Sequence, residues 1–545
     1  MISRRSIVAA ATLIMLGNIA SRLLGLVREQ VIASIFGATG ATSAFVAAST
    51  VPTMLYELLI GGALTAALVP VFTEYAGHDE DDQLWALAST VMLLGGLALA
   101  AAAAALVFLA HPLVWLLAPG LSPSDQEQAV VLIRVVLPAV VFLGISGVTT
   151  GVLYSRQLFV YSAFCVAGFN VGIIVSAVLL AGVLDTASLA LGIVIGAMLQ
   201  LALQVPGLRK VGFRVRLDLH HPALRRILAL YAPVAIGLIV SQAGVLVDRN
   251  LASQTGEESL AVMRFATTLV QLPVGLVAMA ISYAVLPTLS RFASDIVPNV
   301  QIATRKVAPA SDASEEAVRS FKATLVTGMR LSLLVMIPAT VGLVILRVPL
   351  IQLLFEHQAF TAYATDRTAL AFLCYAPQLP FLPVDYLLIF AFYARKNTIT
   401  PVVVGVISVG IYLAVALSLM GPLGMPGLVL ANTVQNSLHA IILFGLLLRT
   451  MGSLRGYGLR STVAKAMLAS AVMTVALLAL VPHLEATLDM SSVIGQAICV
   501  GIGSAAGFVV YAGAAWVLRV EEAITLRQAL WRRVKRFRPS PVEEV

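Results

Sequence analysis

The stretch LWALASTVMLLGGLALAAAAAALVFLA, residues 84–110, contains no charged side chain. A helix needs about 20 consecutive apolar residues to cross the hydrocarbon core of a bilayer. This stretch is therefore long enough to span a membrane, and similar apolar stretches recur from one end of the chain to the other. The pattern predicts an all-α polytopic membrane protein.

The composition of the whole chain agrees with this prediction. Of the 545 residues, 59% are hydrophobic and only 11% are charged, whereas a soluble domain carries about 25% charged residues. The net charge of +8 does not indicate nucleic-acid binding, because the basic residues lie in short loops between apolar stretches. Cys165, Cys374 and Cys499 lie within apolar stretches and form neither a metal-binding spacing nor a disulfide framework.

About fourteen transmembrane helices are predicted from these stretches. The predicted spans are residues 6–34, 43–73, 84–110, 128–154, 160–183, 187–206, 224–251, 259–289, 320–346, 366–392, 400–420, 425–448, 462–482 and 493–518. The N-terminal stretch resembles a signal peptide. It continues past Arg22 without a small-residue cleavage site, so we expect it to be retained as the first span.

The predicted loops differ in charge on the two sides of the membrane. Loops on one side carry nearly all Lys and Arg, notably in 209–226 and in the tail 519–538, whereas loops on the other side carry almost none apart from Arg347. Because Lys and Arg mark cytoplasmic loops, both termini are expected in the cytoplasm. The acidic loop 74–83 is predicted to be cytoplasmic but does not follow this trend.

An internal repeat relates the two halves of the chain. LYSR at 153–156 matches FYAR at 392–395 at an offset of 239 residues, and Pro138 matches Pro377 at the same offset. The offset covers six predicted spans, and an even number preserves orientation, so the halves are expected to be two parallel six-helix repeats. Transporters are often built from such repeats, with the substrate site at their interface near the membrane midplane.

The repeat defines the predicted domains. They are a first lobe over 1–206, a basic cytoplasmic loop over 207–223, a second lobe over 224–448 with a flexible cytoplasmic linker at 294–318, two further spans over 449–518, and a basic cytoplasmic tail over 519–545. The tail fits either an amphipathic helix on an anionic membrane surface or a solvated segment.

Charged residues within the predicted spans are candidates for function, because a charge at mid-bilayer costs about 2.5–3.5 kcal/mol on insertion scales. The first span contains Arg22, Arg28 and Glu29. Two arginines lining a cavity would suit a diphosphate, since each offers a planar fork of donors. Alternatively, Arg22 pairs with Glu29 on the same helix face, and the other arginine reaches the membrane surface.

Carboxylates in other spans are candidates for energy coupling. Glu57, Asp248 and Asp385 are predicted either to bind a coupling Na+ or H+ or to pair with a nearby arginine. Asp248 and Arg249 are adjacent and are expected on different helix faces. The sequence has no ATP-binding loop and no zinc-protease or hydrolase motif, so no enzyme activity and no cofactor are expected. Energy would come from an ion gradient, the membrane potential or the substrate gradient.

The sequence resembles the MurJ (MviN) family of lipid II flippases, which belongs to the multidrug/oligosaccharidyl-lipid/polysaccharide (MOP) exporter superfamily. The resemblance is carried by SRLLGLVRE at 21–29, IFGA at 35–38, LAPG at 117–120, QLPVG at 271–275 and VLPTLS at 285–290, and it covers nearly the whole chain. It implies about fourteen transmembrane helices, as predicted from the apolar stretches, and two lobes that rock around a cationic cavity. The last two spans would form a groove for a polyprenyl tail.

This resemblance also implies a function. The protein would translocate lipid II, the lipid-linked peptidoglycan precursor, from the inner to the outer leaflet of the bacterial cytoplasmic membrane by alternating access. Arg22 and Arg28 fall on positions that are basic in the family, and Arg264 lies one helical turn from a further basic position. These three arginines are therefore expected to bind the diphosphate. The cavity is expected to be less cationic than is usual in the family, because uncharged residues occupy three positions that are often basic: Tyr56, Thr268 and Phe390. Ser43 stands where the family often has an acidic residue.

Three alternatives stay open. The protein could be a flippase for another polyprenyl-diphosphate-linked saccharide, an ion-coupled drug antiporter of the same superfamily that uses Glu57, Asp248 and Asp385, or a non-transporting scaffold for envelope assembly. The expected partners are lipid II or a related polyprenyl-diphosphate lipid and the phospholipid bilayer, with no nucleic acid. The oligomeric state is left open.

Overall fold

The structure is a computed structural model that describes residues 4–61, 67–76, 81–275, 285, 288–293 and 312–520. Every regular element within these residues is helical. In chain order the α-helices are α1 (Arg4–Phe36), α2 (Gly40–Tyr56), α3 (Val69–Tyr75), α4 (Asp81–Phe108), α5 (Ala110–Leu117), α6 (Pro123–Val136), α7 (Ala139–Ser155), α8 (Phe159–Ala163), α9 (Cys165–Leu184), α10 (Ala187–Ala202), α11 (Val205–Lys210), α12 (Pro222–Ser253), α13 (Ser259–Pro273), α14 (Asp312–Ile345), α15 (Arg347–Phe355), α16 (Ala362–Tyr375), α17 (Phe381–Ala394), α18 (Ile399–Leu423), α19 (Met425–Met451), α20 (Leu459–Thr487) and α21 (Val493–Val517).

Long apolar helices make up most of this fold. By length and composition, nine helices in the described ranges can cross a membrane, and two bent helix pairs raise the number to eleven. The all-α membrane fold is therefore confirmed, whereas the number fourteen is not. The predicted spans 43–73 and 259–289 include residues outside the described ranges.

The first predicted span and the end of the predicted linker can be compared with the helices. The first predicted span lies within α1, one continuous helix of 33 residues. Residues 312–318, expected to belong to a flexible linker, are instead the first turns of α14. Glu315 and Glu316 lie near this helix start, where acidic side chains interact favourably with the helix dipole. Residues 294–311 and the tail 521–545 lie outside the described ranges.

The internal repeat is visible in the helix geometry. Helices α6 and α7 are bent by 42° where Pro138 lies between them, and Ala362–Gln378 and Phe381–Ala394 are bent by 41°. Gln157 and Lys396, which are 239 positions apart, follow these bends with positive φ angles of 59° and 58°. Non-glycine residues rarely adopt this conformation, so its recurrence at the same offset supports the predicted repeat.

The packing of the helices divides the chain into two compact units. The first comprises residues 1–268, 355–367 and 423–425, and the second comprises 269–354, 368–422 and 426–545. Helix α12 thus packs with the first unit, although the repeat assigns it to the second lobe. The two units are defined by the packing of the helices, whereas the two lobes are defined by the sequence repeat. The units therefore do not test the lobe boundaries, which stay a prediction.

Small residues allow α9 and α10 to pack closely within the first unit. A Cβ added to Gly172 would lie 2.4 Å from the Cα of Gly196. Nearby, the Ser176 hydroxyl donates to the Ser188 carbonyl at 2.7 Å. Lipid provides little hydrophobic driving force between helices, so close approach of small residues and interhelical hydrogen bonds hold such pairs together.

Ion pairs explain the acidic loop 74–83. Glu74 accepts hydrogen bonds from Arg226 at 2.5 and 2.8 Å, and Asp81 pairs with Arg156. Both arginines belong to segments predicted to be cytoplasmic. Glu74 and Asp81 therefore lie at the same end of the first unit as these basic residues, which supports the predicted grouping of the loops.

The second unit is organised around α14. Helix α14 packs against α17 and α20, and α20 packs against α21. Buried side chains on α14, α17 and α19, including Phe321, Phe392 and Leu443, form its core. Phe508 and Val509 on α21 are exposed, as expected for side chains that face lipid.

Candidate functional site

A single carboxylate bridges two arginines in the first unit. Glu29, on α1, is 2% exposed. It accepts hydrogen bonds from Nε and Nη2 of Arg264 at 2.8 and 2.9 Å and from Nε and Nη2 of Arg28 at 3.0 and 2.5 Å. Arg28 and Arg264 are two of the three predicted diphosphate ligands, and the structure brings them together although they are far apart in sequence.

Neighbouring side chains hold both guanidinium groups in place. Arg28 donates from Nη1 to Oδ1 of Asn170 on α9 at 2.9 Å. Asn170 in turn donates to the Ser21 carbonyl at 3.1 Å, so α9 fixes this part of α1. The Arg264 guanidinium lies over the Phe45 ring, 5.2 Å from its centroid, in a cation–π contact. The two arginines are thus oriented by more than their shared carboxylate.

The cluster carries a net positive charge, since two arginines face one glutamate. The side chains of Arg28 and Arg264 are 23% and 17% exposed, whereas that of Glu29 is 3% exposed. Both arginine side chains are therefore partly accessible, whereas the glutamate side chain is enclosed. An unbalanced positive charge in a low-dielectric site attracts anions more strongly than it would in water. The cluster can therefore bind an anionic group such as a phosphate.

Three other residues named for this site lie on α1, α2 and α13. Arg22, on α1, is half-buried. Ser43, where the resemblance predicts an acidic residue, is fully buried and accepts a hydrogen bond from the Ala261 amide at 3.2 Å. Thr268 donates to the carbonyl of Arg264 at 3.0 Å. The Ser43 hydroxyl thus caps a backbone amide near the start of α13, whereas the Thr268 hydroxyl bonds back to its own helix.

The three candidate coupling carboxylates have different surroundings. Asp385 on α17 lies 2.6 Å from Nδ1 of His439 on α19. Asp248 on α12 approaches Arg249 to 3.8 Å, although the two residues project from adjacent positions of the helix. A long arginine side chain can fold back along its own helix and reach the adjacent residue. Glu57 begins a π-helical segment, Glu57–Gly61, and such segments often occur at functional sites.

Sequence reasoning missed three residues of these clusters. Glu29 was considered only as a partner of Arg22, and Asn170 and His439 were not considered. A signal was present for each, because a polar or charged residue within an apolar span usually has a partner or a function. What the sequence did not contain was the identity of that partner.

Comparison with solved structures identifies the fold. The fold resembles that of a MATE family multidrug resistance transporter of the MOP superfamily in an inward-facing conformation, with a TM-score of 0.62 and 14% identity over 80% of this chain and 95% of that chain. It also resembles the lipid II flippase MurJ in an inward closed conformation, with a TM-score of 0.75 and 22% identity over 93% of this chain and 99% of that chain. The chain therefore shares the fold of these two solved proteins.

Sequence comparison identifies the family. The family model described as "Lipid II flippase MurJ" matches residues 32–495. Lipid II flippase MurJ of Burkholderia cenocepacia is 30% identical over 437 residues, which cover 78% of this chain and 80% of the relative. A probable lipid II flippase MurJ of Vibrio cholerae is 30% identical over 491 residues, with 87% of each chain covered. The chain therefore belongs to the lipid II flippase MurJ family, as its sequence motifs indicated.

Proposed function

We propose that this protein translocates lipid II from the inner to the outer leaflet of the bacterial cytoplasmic membrane by alternating access. The observation that carries the proposal is the match to the family model over residues 32–495, together with relatives whose names describe lipid II flippases. The protein acts as a transporter and catalyses no covalent chemistry. Both of its termini lie in the cytoplasm.

The Glu29 cluster would bind the diphosphate of the substrate. Arg28 and Arg264 each present a fork of N–H donors that matches phosphate oxygens. The Nη1 group of Arg264 has no hydrogen-bond partner among the described residues. Arg22 adds a further positive charge to α1. Together these three arginines supply the charge needed to hold a diphosphate within the membrane.

Glu29 gives this site an exchangeable counterion. An unpaired buried charge is strongly destabilising, and Glu29 prevents this in the absence of substrate by accepting hydrogen bonds from both arginines. A diphosphate would compete with Glu29 for the same donors. The site can therefore be filled and emptied without leaving two guanidinium groups unpaired in a low-dielectric environment.

Energy for transport would come from the H+ or Na+ gradient or from the membrane potential. Asp248, Glu57 and Asp385 are the proposed coupling residues, since each is a carboxylate within a predicted span. No cofactor takes part in this proposal.

A flippase for another polyprenyl-diphosphate-linked saccharide is the second candidate. Thr268 and Phe390 occupy positions where the family often has charged residues. This difference favours a head group that is recognised with fewer charges. The diphosphate would still bind to the same arginines.

Complementation tests the proposal and its site together. A test bacterium is depleted of its resident lipid II flippase and expresses this chain, the single variants Arg22→Ala and Arg28→Ala, or the double variant, at matched membrane levels. The unmodified chain should restore growth, and each arginine variant should fail although it is inserted in the membrane. Arg319→Ala is the matched control, because its side chain is 78% exposed, and it should restore growth.

Other outcomes separate the function from the site. If the double variant also restores growth, the function stands and the arginine site is wrong. If the unmodified chain fails at normal membrane levels, lipid II is not its substrate in that host. Binding of the purified protein to other polyprenyl-diphosphate sugars then tests the second candidate.

A further inference from the structure

The second unit contains a titratable pair that the arginine cluster does not involve. Oδ1 of Asp385 lies 2.6 Å from Nδ1 of His439, and the two side chains are 17% and 15% exposed. The imidazole also lies beside the carbonyl of Pro401 on α18. An aspartate and a histidine thus share a hydrogen bond between two predicted spans.

The internal repeat supplies a neutral counterpart of this pair. Ser146 and Gln200 precede Asp385 and His439 by 239 residues each, the offset of the repeat. In the first unit, Gln200 donates from Nε2 to the Ser146 hydroxyl at 3.0 Å. The same two positions therefore hold an uncharged hydrogen bond in one half of the chain and a titratable one in the other. The architecture does not require a charge at these positions.

Neutral polar groups extend along α19 from the titratable pair. Asn436, about one turn before His439, donates to Gln378 at 2.6 Å. Thr433, about one turn further, donates to the Cys374 carbonyl at 2.7 Å. The pair is thus the titratable end of a line of hydrogen-bonding groups within an apolar bundle.

We propose that Asp385 and His439 form a proton-binding site that couples the lipid translocation proposed above to a proton gradient; the coupling rests on that proposed function. With a neutral imidazole the pair carries one negative charge, and uptake of one proton by the imidazole makes the pair neutral. A net charge within the membrane is costly. The negatively charged pair and the neutral, protonated pair therefore differ in the free energy needed to enclose them within the protein. Imidazole is also the side chain that commonly changes charge between about pH 5 and 8.

The surroundings of this pair can be named for the described part of the chain. Helix α18 presents the neutral Pro401 carbonyl and Gly405 to the imidazole. On α14, which packs against α17, Arg330 instead donates to the Thr462 hydroxyl at 2.9 Å. Within the described ranges, Asp385 forms its ion pair with His439 alone.

A double substitution taken from the repeat provides the test. Asp385→Ser together with His439→Gln introduces the pair that the first unit already accommodates, so the variant should fold. Potentiometric titration of the two purified proteins between pH 5 and 8 should show that the unmodified protein takes up about one more proton. Ser146→Ala is the matched control and should leave proton uptake unchanged. Equal uptake by the unmodified protein and the double variant would overturn the site.

Transport in vesicles that contain lipid II tests the coupling. A gradient of one pH unit, about tenfold in proton activity, should change the translocation rate of the unmodified protein by up to tenfold and leave that of the double variant unchanged. An unchanged rate in the unmodified protein, or a response to a sodium gradient alone at uniform pH, would overturn proton coupling. If lipid II does not move in any vesicle, the proposed function and its coupling both fail, whereas the titration still decides whether the pair binds a proton.

Discussion

Replacing Glu29 with Ala is expected to lower the free energy of unfolding by about 3 kcal/mol. Glu29 accepts four hydrogen bonds from Arg28 and Arg264 and is 2% exposed. Removing one partner of a buried ion pair costs about 3–5 kcal/mol, because the remaining charge is left uncompensated. The two arginine side chains are 23% and 17% exposed, so solvent recovers part of the loss and the lower end of this range applies.

A double-mutant cycle isolates the interaction from the other effects of the substitution. Glu29→Ala, Arg264→Met and the double variant are unfolded reversibly in mixed micelles with increasing dodecyl sulfate, and unfolding is followed by tryptophan fluorescence. The coupling energy should be about 2 kcal/mol, within the range measured for residues in contact. Glu315→Ala is the matched control. It removes an exposed carboxylate that lies 3.8 Å from Arg319, and surface pairs contribute about 0–1 kcal/mol.

The result that refutes this reasoning is additivity. If the two substitutions add to within about 0.5 kcal/mol, Glu29 does not stabilise Arg264, and the exchangeable counterion is lost from the proposed mechanism. A large coupling energy combined with unchanged transport in Glu29→Gln would keep the ion pair as a structural element and remove it from substrate binding.

Three further predictions concern packing, backbone strain and topology. Gly172→Val should destabilise the first unit by about 2 kcal/mol or more, because its side chain would meet Gly196, whereas Gly182→Val, with nothing within 4 Å of the added Cβ, should be nearly neutral; equal effects would contradict the close packing. Gln157→Gly should stabilise the protein by about 0.5–1 kcal/mol, because it relieves a φ of 59°; a loss of stability by chemical unfolding would show that the Gln side chain matters more than backbone strain. In a variant without its native cysteines, a cysteine replacing Ser491 should react with an impermeant maleimide added to intact cells, whereas one replacing Ser453 should react only after permeabilisation; the opposite pattern would reverse the proposed orientation.

The helices were more predictable than the candidate site because different physics determines them. The thickness of the bilayer fixes the length of an apolar span, so the stretch 84–110 gave α4 to within a few residues. The start of α14 at Asp312 was missed because a polar sequence outside the membrane can continue a helix without an apolar signal. Hydropathy therefore locates the membrane part of a helix better than its ends.

The site could be predicted by residue type but not by partner. Arg28 and Asp385 were identified because charges within apolar spans are costly, and Arg264 was identified because it lies one turn from a position that is often basic in the family. The spacing along α1 suggested a pair between Arg22 and Glu29, whereas Glu29 accepts from Arg264, which is 235 residues away. Such a pairing depends on how separate helices pack, and local spacing contains no information about it. His439 was missed for the same reason.

The contact between α9 and α10 limits how the first unit can move. Their backbones meet at Gly172 and Gly196, where even one added carbon would lie 2.4 Å from the neighbouring chain. Shear along this contact would bring larger side chains into space that only glycine fits, so the two helices should shift together as a rigid hairpin. Movement within this unit then falls to hinges such as the 42° break between α6 and α7, where Pro138 lacks the amide hydrogen that would continue the helix.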